Sequence, residues 1–160
     1  MHKLVFQLMI WLPGSILLGQ HQQEPEVHKV ISAFLNALSA KDESALRQCW
    51  VEQPVAFLPV AGTAGGKRLD READFLQGWR DVFAAGVRTQ TNVNDKPAAL
   101  RIEPKDMRTD FLSPDVAVVT FHLTANPQAL GRRMFVLART SRGWKITHLH
   151  ASNMALPAGK

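Results

Sequence analysis

The sequence predicts an α+β domain, with three N-terminal helices packed against one face of an antiparallel sheet. Two observations carry this. Apolar residues recur at helical spacing in three segments before residue 90, and from Ala98 onward the chain becomes four strand-like runs separated by turn signals. A chain of 160 residues supplies one domain, and a hydrophobic content of 46% is that of a globular protein.

The first 23 residues stand apart. Lys3 is the only charge before Glu24, and an apolar run from Leu4 to Leu18 turns polar at Gln20. About 20 apolar residues are needed to cross a bilayer, so the run is short for a span. A basic start, a short apolar core and a polar exit read as a signal peptide or anchor, and export is expected. Leu17-Leu18-Gly19 lacks the usual small residue three places before a cut, and Met9 offers a second start. The domain proper is expected over residues 24–157.

Within it, Val27, Val30, Ile31, Phe34, Leu35 and Leu38 mark the first helix. Asp42 is placed to cap a second through "ESALRQCW", where Leu46, Cys49 and Trp50 share a face. "PVAFLPVAG" is bounded by Pro54, Pro59 and Gly62 and reads as an edge strand. "TAGGK" lacks the spacing of a phosphate-binding loop. Asp70 is placed to cap a third helix with the stripe Phe75, Leu76, Trp79, Val82 and Phe83, ended by Gly86. Four strands follow in "ALRIEPKDMRTDFL", "VAVVTFHLT", "RRMFVLART" and "WKITHLHAS".

The strands at 116–124 and 132–140 are apolar on both sides, whereas a half-solvated sheet alternates cleanly. Three helices cover only one face. The other is expected to meet a second subunit, giving a homodimer or a higher oligomer.

Charge and cysteine content narrow the function. The net charge is +5, and from Val116 onward six basic residues meet no Asp or Glu. No dense Lys/Arg run or nucleic-acid motif accompanies them, so a nucleic-acid partner is not expected. Cys49 is the sole cysteine, which excludes an internal disulfide and reads as a buried small hydrophobe.

Three helices followed by a meander ending in Trp-x-Ile-x-His-x-His-x-Ser resembles the SnoaL-like branch of the nuclear transport factor 2-like superfamily. The resemblance covers residues 27 to 154 and rests on "ISAFLNALSAKDESALRQCW", "FLPVAGT" and "RTSRGWKITHLHAS". The closing strand is similar to that of the association domain of calcium/calmodulin-dependent protein kinase II. The resemblance implies a cone-shaped barrel with a cavity between helices and sheet, often dimeric across the sheet, and no single activity. Ketosteroid-isomerase-like members carry a pocket carboxylate and a tyrosine; here there is no tyrosine, and no carboxylate follows Asp115. The arginines that line the kinase association domain's pocket match His122, Phe135 and Ala151, so one basic side chain survives.

His148 and His150 alternate onto one strand face, a spacing that could hold zinc with a third ligand or do acid–base work. The resemblance makes them part of the closing strand instead, and no metal and no cofactor is expected. His122 is the functional candidate, placed by the same matching on the opposite face from that pair. It is expected to share a ligand pocket with Phe135, Thr120 and Leu137, closed by Trp50 and Trp79 from the helices. Arg133 and Arg139 share Phe135's parity and could reach the mouth. The expected function is an exported module binding a small hydrophobic ligand. The alternative is an isomerase, dehydratase or cyclase using His122 as general acid or base. That chemistry needs an electrostatic partner, and Asp74 and Asp81 lie off the apolar stripe of their helix.

Overall fold

The computed structural model describes residues 14–58, 67–88, 102–126 and 129–155. Three helices, α1 (Gly14–Ala40), α2 (Glu43–Gln48) and α3 (Glu72–Arg88), accompany six strands. The strands are β1 (Trp50–Leu58), β2 (Lys67–Leu69), β3 (Pro104–Ser113), β4 (Val116–Asn126), β5 (Ala129–Thr140) and β6 (Gly143–Ala155). They form one sheet in the order β2-β1-β6-β5-β4-β3. The fold is therefore α+β as predicted, but the sheet is open rather than closed into a barrel, with β2 and β3 as its edges.

Asp42 caps α2 as expected, its carboxylate accepting from the Ala45 amide at 2.9 Å. The helix ends sooner than its apolar pattern suggested. Cys49 is its C-cap, and Trp50 opens β1. Nor is β1 an edge strand. It lies between β2 and β6, antiparallel to the first and parallel to the second, with Val55 beside His148 and Phe57 beside His150. Pro54, which suggested an edge, sits at the register irregularity between Trp50 and Val55. Helix α3 runs through Gly86 to Arg88, and α1 begins at Gly14 with Pro25 inside it, ten residues ahead of the expected domain start. No described helix is long and apolar enough to cross a membrane. The "TAGGK" loop lies outside the described residues apart from Lys67.

Ridges of α1 and α3 fill the inner face of the sheet. Phe34 of α1 meets Phe135 of β5 edge-on at 5.1 Å and Trp79 of α3 at 5.4 Å. Trp50 packs on Phe75 at 4.8 Å. Edge-to-face pairs of this kind add about 0.5–1.5 kcal/mol each beyond the area they bury. His28 of α1 lies 2.8 Å from the Thr109 hydroxyl of β3, tying the helix to the far side of the sheet. At the β5–β6 turn Gly143 takes φ +87°, a left-handed conformation that favours glycine.

Candidate functional site

The register of β4 against β5 decides which residues share the interior. Val119 pairs with Phe135, Ala117 with Leu137 and Phe121 with Arg133. Across β6, Phe135 faces Leu149 and Arg133 faces Ala151. Strand residues alternate between faces, so these side chains form one surface, and Phe34 against Phe135 shows that it faces the helices. Trp50, Trp79, Phe135 and Leu137 all belong to the buried core between helices and sheet, Trp50 from β1 rather than from a helix.

His122 and Thr120 are not among them. His122 pairs with Arg132, and Thr120 with Met134, whose side chain is exposed. Both lie on the outer face, so the expected pocket of His122 with Phe135 does not form. The separation of His122 from His148 and His150 also fails: Met134 faces His150 and Val136 faces His148, putting all three histidines on that one outer face. The cause is parity. The register joins even-numbered residues of β4 to even-numbered residues of β5, whereas the sequence reading set even against odd.

The inner surface carries a cation that the sequence reading put only at the pocket mouth. Arg133 projects between buried Phe121 and Ala151. Its guanidinium donates to the carbonyls of Arg132 (2.9 Å) and Ser152 (3.0 Å), and to Asn153 Oδ1 (3.4 Å). All are neutral oxygens, and burial pulls its pKa below the usual guanidinium value. Gly131 makes the room: a Cβ there would stand 3.0 Å from Nη1. Arg139 pairs with Trp144 at the opposite end and is exposed. The indole nitrogens of Trp50, Trp79 and Trp144 are buried without a hydrogen-bond partner among the described residues. A buried N–H normally has one, so these are groups that an acceptor would satisfy.

Other titratable groups near the interior do less. Burial raises the Cys49 thiol, the Lys145 charge opposing it more weakly. Asp74 is half-buried, and Asp81 is exposed and accepts from Gln77 at 2.9 Å. At the β5–β6 turn a surface cleft of about 420 Å³ is lined by Arg47, Gln48, Trp50, Glu52, Arg142 and Lys145. Its cations are engaged. Lys145 donates to Gln48 O at 2.7 Å, Arg47 to Val51 O at 2.8 Å, and Arg142 pairs with Glu52 at 3.4 Å. Among the described residues no group of three or more His, Cys, Asp or Glu side chains could hold a metal ion.

A fold of helices on an open, curved sheet with a mainly apolar interior defines a class, and comparison places the chain in it. Residues 27–157 match the family model of the SnoaL-like domain. The protein belongs to the SnoaL-like family. A search of curated proteins finds no match. Among solved structures, a provisionally assigned dehydratase of the NTF2-like family from Streptomyces avermitilis aligns with TM-score 0.64 and 19% identity. It covers 86% of this chain and 99% of that one. A provisionally assigned ketosteroid isomerase from Shewanella frigidimarina gives 0.60 and 21%, over 79% and 94%. The calcium/calmodulin-dependent protein kinase II hub of S. rosetta gives 0.60 and 18%, over 81% and 95%. At such identities the likeness shows the fold alone.

Proposed function

We propose that the protein is a binding module for a small, apolar, singly anionic ligand held on the inner face of the sheet at its Arg133 end. Arg133 carries the reading: a guanidinium on the helix-facing surface whose hydrogen bonds, among the described residues, go to neutral oxygens, and whose pKa burial lowers. A carboxylate brought to it gains a charge-assisted hydrogen bond, and the aromatic walls of Phe121 and Phe135 take the apolar remainder. The indole N–H groups of Trp50 and Trp79 offer further donors. Acid–base catalysis has less support. His122, the imidazole on which an isomerase, dehydratase or cyclase was built, faces away from this interior. A screen of aromatic and aliphatic acids against their amides, read by tryptophan fluorescence and thermal shift, tests the reading. Acids should stabilise the parent, and Arg133→Met should lose about 1.5–3 kcal/mol of that binding. Equal stabilisation of both proteins by an acid would overturn it.

We further propose self-association through the outer face. Phe57, Met134 and Met154, between 41% and 44% exposed, lie on it. Ten residues by four strands span roughly 33 by 19 Å, on the scale of one side of a standard interface. Val136→Asp should give a folded monomer in sedimentation; a parent that is itself monomeric at micromolar concentration would contradict the pairing. Export is proposed from Lys3 and the apolar run after it. Intact Met1–Lys160 in the cytoplasm of its own cell, seen by mass spectrometry, would refute export.

A further inference from the structure

On the outer face two imidazoles and a thioether are register neighbours. His148 and His150 lie on β6, with one residue between them. Met134 of β5 stands directly across from His150 and diagonal to His148. Directly opposed Cβ atoms are about 4.5–5.5 Å apart and diagonal ones about 7–8 Å, and alternate residues along a strand are separated by roughly 6.6 Å. Three side chains of this length, rooted on such a triangle and on one face, are long enough to be rotated to a common point above the sheet.

The hydrogen bonds prepare one donor. Thr147 Oγ1 donates to the Val136 carbonyl at 3.0 Å, which uses its only proton. The 3.0 Å contact between His148 Nδ1 and that hydroxyl is therefore a bond donated by the ring. This pattern assigns the ring proton to Nδ1 and leaves the lone pair on Nε2. Fixing a ligating histidine through its second nitrogen is how metal sites orient their imidazoles. Met134 remains 44% exposed, an unbranched apolar side chain left in water beside these rings.

We propose that His148, His150 and Met134 form a binding site for a cuprous ion. A thioether joined to imidazoles selects a soft cation, whereas calcium and magnesium require oxygen donors. A structural zinc site closes with four ligands, and here three are neighbours. The remaining surroundings favour a low charge on the ion. Val55 and Phe57 of β1 flank the pair, the Phe57 ring lying 6.3 Å from that of His150. The nearest charges on β5 and β6 are the cations Arg132 and Lys145. On the β3–β4 side Asp106 pairs with His122 at 3.5 Å and Asp110 with Arg108 at 3.2 Å. On the β2 side Asp70 pairs with Arg68 at 3.0 Å. Asp110 and Asp70 are thus held by arginines, and Asp106 lies against His122. His122 itself sits opposite Arg132, two residues along β4 from the partner of Met134.

This site is independent of any ligand in the interior, and it shares the outer face with the pairing proposed above. The full chain would be titrated without oxygen against a Cu(I) complex of bicinchoninate, at several protein concentrations. One Cu(I) per chain should be withdrawn regardless of dilution, with a copper–sulfur shell in X-ray absorption. Met134→Leu keeps the volume and apolarity of the face, and should lower Cu(I) affinity about tenfold or more while leaving thermal stability and Zn(II) uptake unchanged. His148→Gln should weaken uptake of both metals. Equal Cu(I) affinity in the parent and Met134→Leu, or no sulfur in the copper shell, would overturn the site. Uptake that falls to one Cu(I) per two chains, or is lost on dilution, would overturn the assignment to a single chain.

Discussion

The two faces of strands β4–β6 are built from similar residue types and do opposite things. The inner face carries Val119, Phe121, Phe135, Leu137 and Leu149, all buried under α1 and α3. The outer face carries Val118, Val136 and Met134 among three histidines, with Met134 and Met154 left in water. What separates them is side-chain volume. The phenylalanines are gathered inside, where rings from helices and sheet interlock, and the outer face mixes valines with methionines, histidines and Arg132. Hydrophobicity alone does not distinguish an interior from a surface left in water.

The sharpest way to break this comparison is to truncate neighbours that point opposite ways. Phe135→Ala removes a fully buried ring that touches Phe34 at 5.1 Å and stacks on Phe121 at 5.5 Å. It should cost about 3–5 kcal/mol in urea denaturation. Met134→Ala, one residue away, should cost about 1 kcal/mol or less in the monomer, because its side chain is already exposed. Comparable losses would mean that the faces are not differently packed.

Much of the fold could be read from the sequence, because periodicity and turn chemistry act locally. The α3 stripe, the Asp42 cap and the strands β4 to β6 follow from spacing and from Ser113-Pro114 and Ser141-Arg142-Gly143. The site was harder to read for a definite reason. A one-residue slip exchanges every side chain between faces, and here both faces of β4 are apolar, so alternation gives no direction. Phe121 opposite Arg133 and near Phe135 held the missing signal: the larger rings mark the side that helices must cover. Trp50 was misplaced because a helical stripe through Leu46 and Cys49 continues onto it, although the helix stops at Gln48. Arg133 was undervalued because only the register shows its side chain entering beside a glycine.

A smaller effect tests how tightly the inner layer is closed. Gly78 lies on α3 against Leu69 of β2, and a Cβ there would overlap the Leu69 Cδ1 methyl. Alanine in mid-helix normally gains up to about 1 kcal/mol over glycine. Leu69 is fully buried and has little room to yield. Gly78→Ala should therefore destabilise, by about 1–3 kcal/mol. Leu69→Ala added to it should recover part of the loss as positive coupling in a double-mutant cycle. A net gain from Gly78→Ala alone would show that β2 is loosely held.

The smallest effect lies outside both faces, where α2 is clipped to α3. Arg80 Nε and Nη2 donate to the Glu43 carboxylate at 3.0 Å each, a two-pronged pair on the surface. The Arg80 hydrogen bond holds Glu43 below the usual carboxylate range, and Glu43 correspondingly raises Arg80. A carboxylate whose pKa is depressed on folding contributes stability that is complete above its unfolded value. The contribution is lost as pH falls through the lower folded one. Glu43→Gln should thus lower the melting temperature slightly at pH 7, and the gap to the parent should close in the acid range below pH 4.5. Both partners are solvated, so added salt should shrink the gap at pH 7 as well. A difference that persists undiminished at pH 3 would mean that glutamine perturbs the start of α2 itself, beside the Asp42 cap, rather than releasing an ion pair.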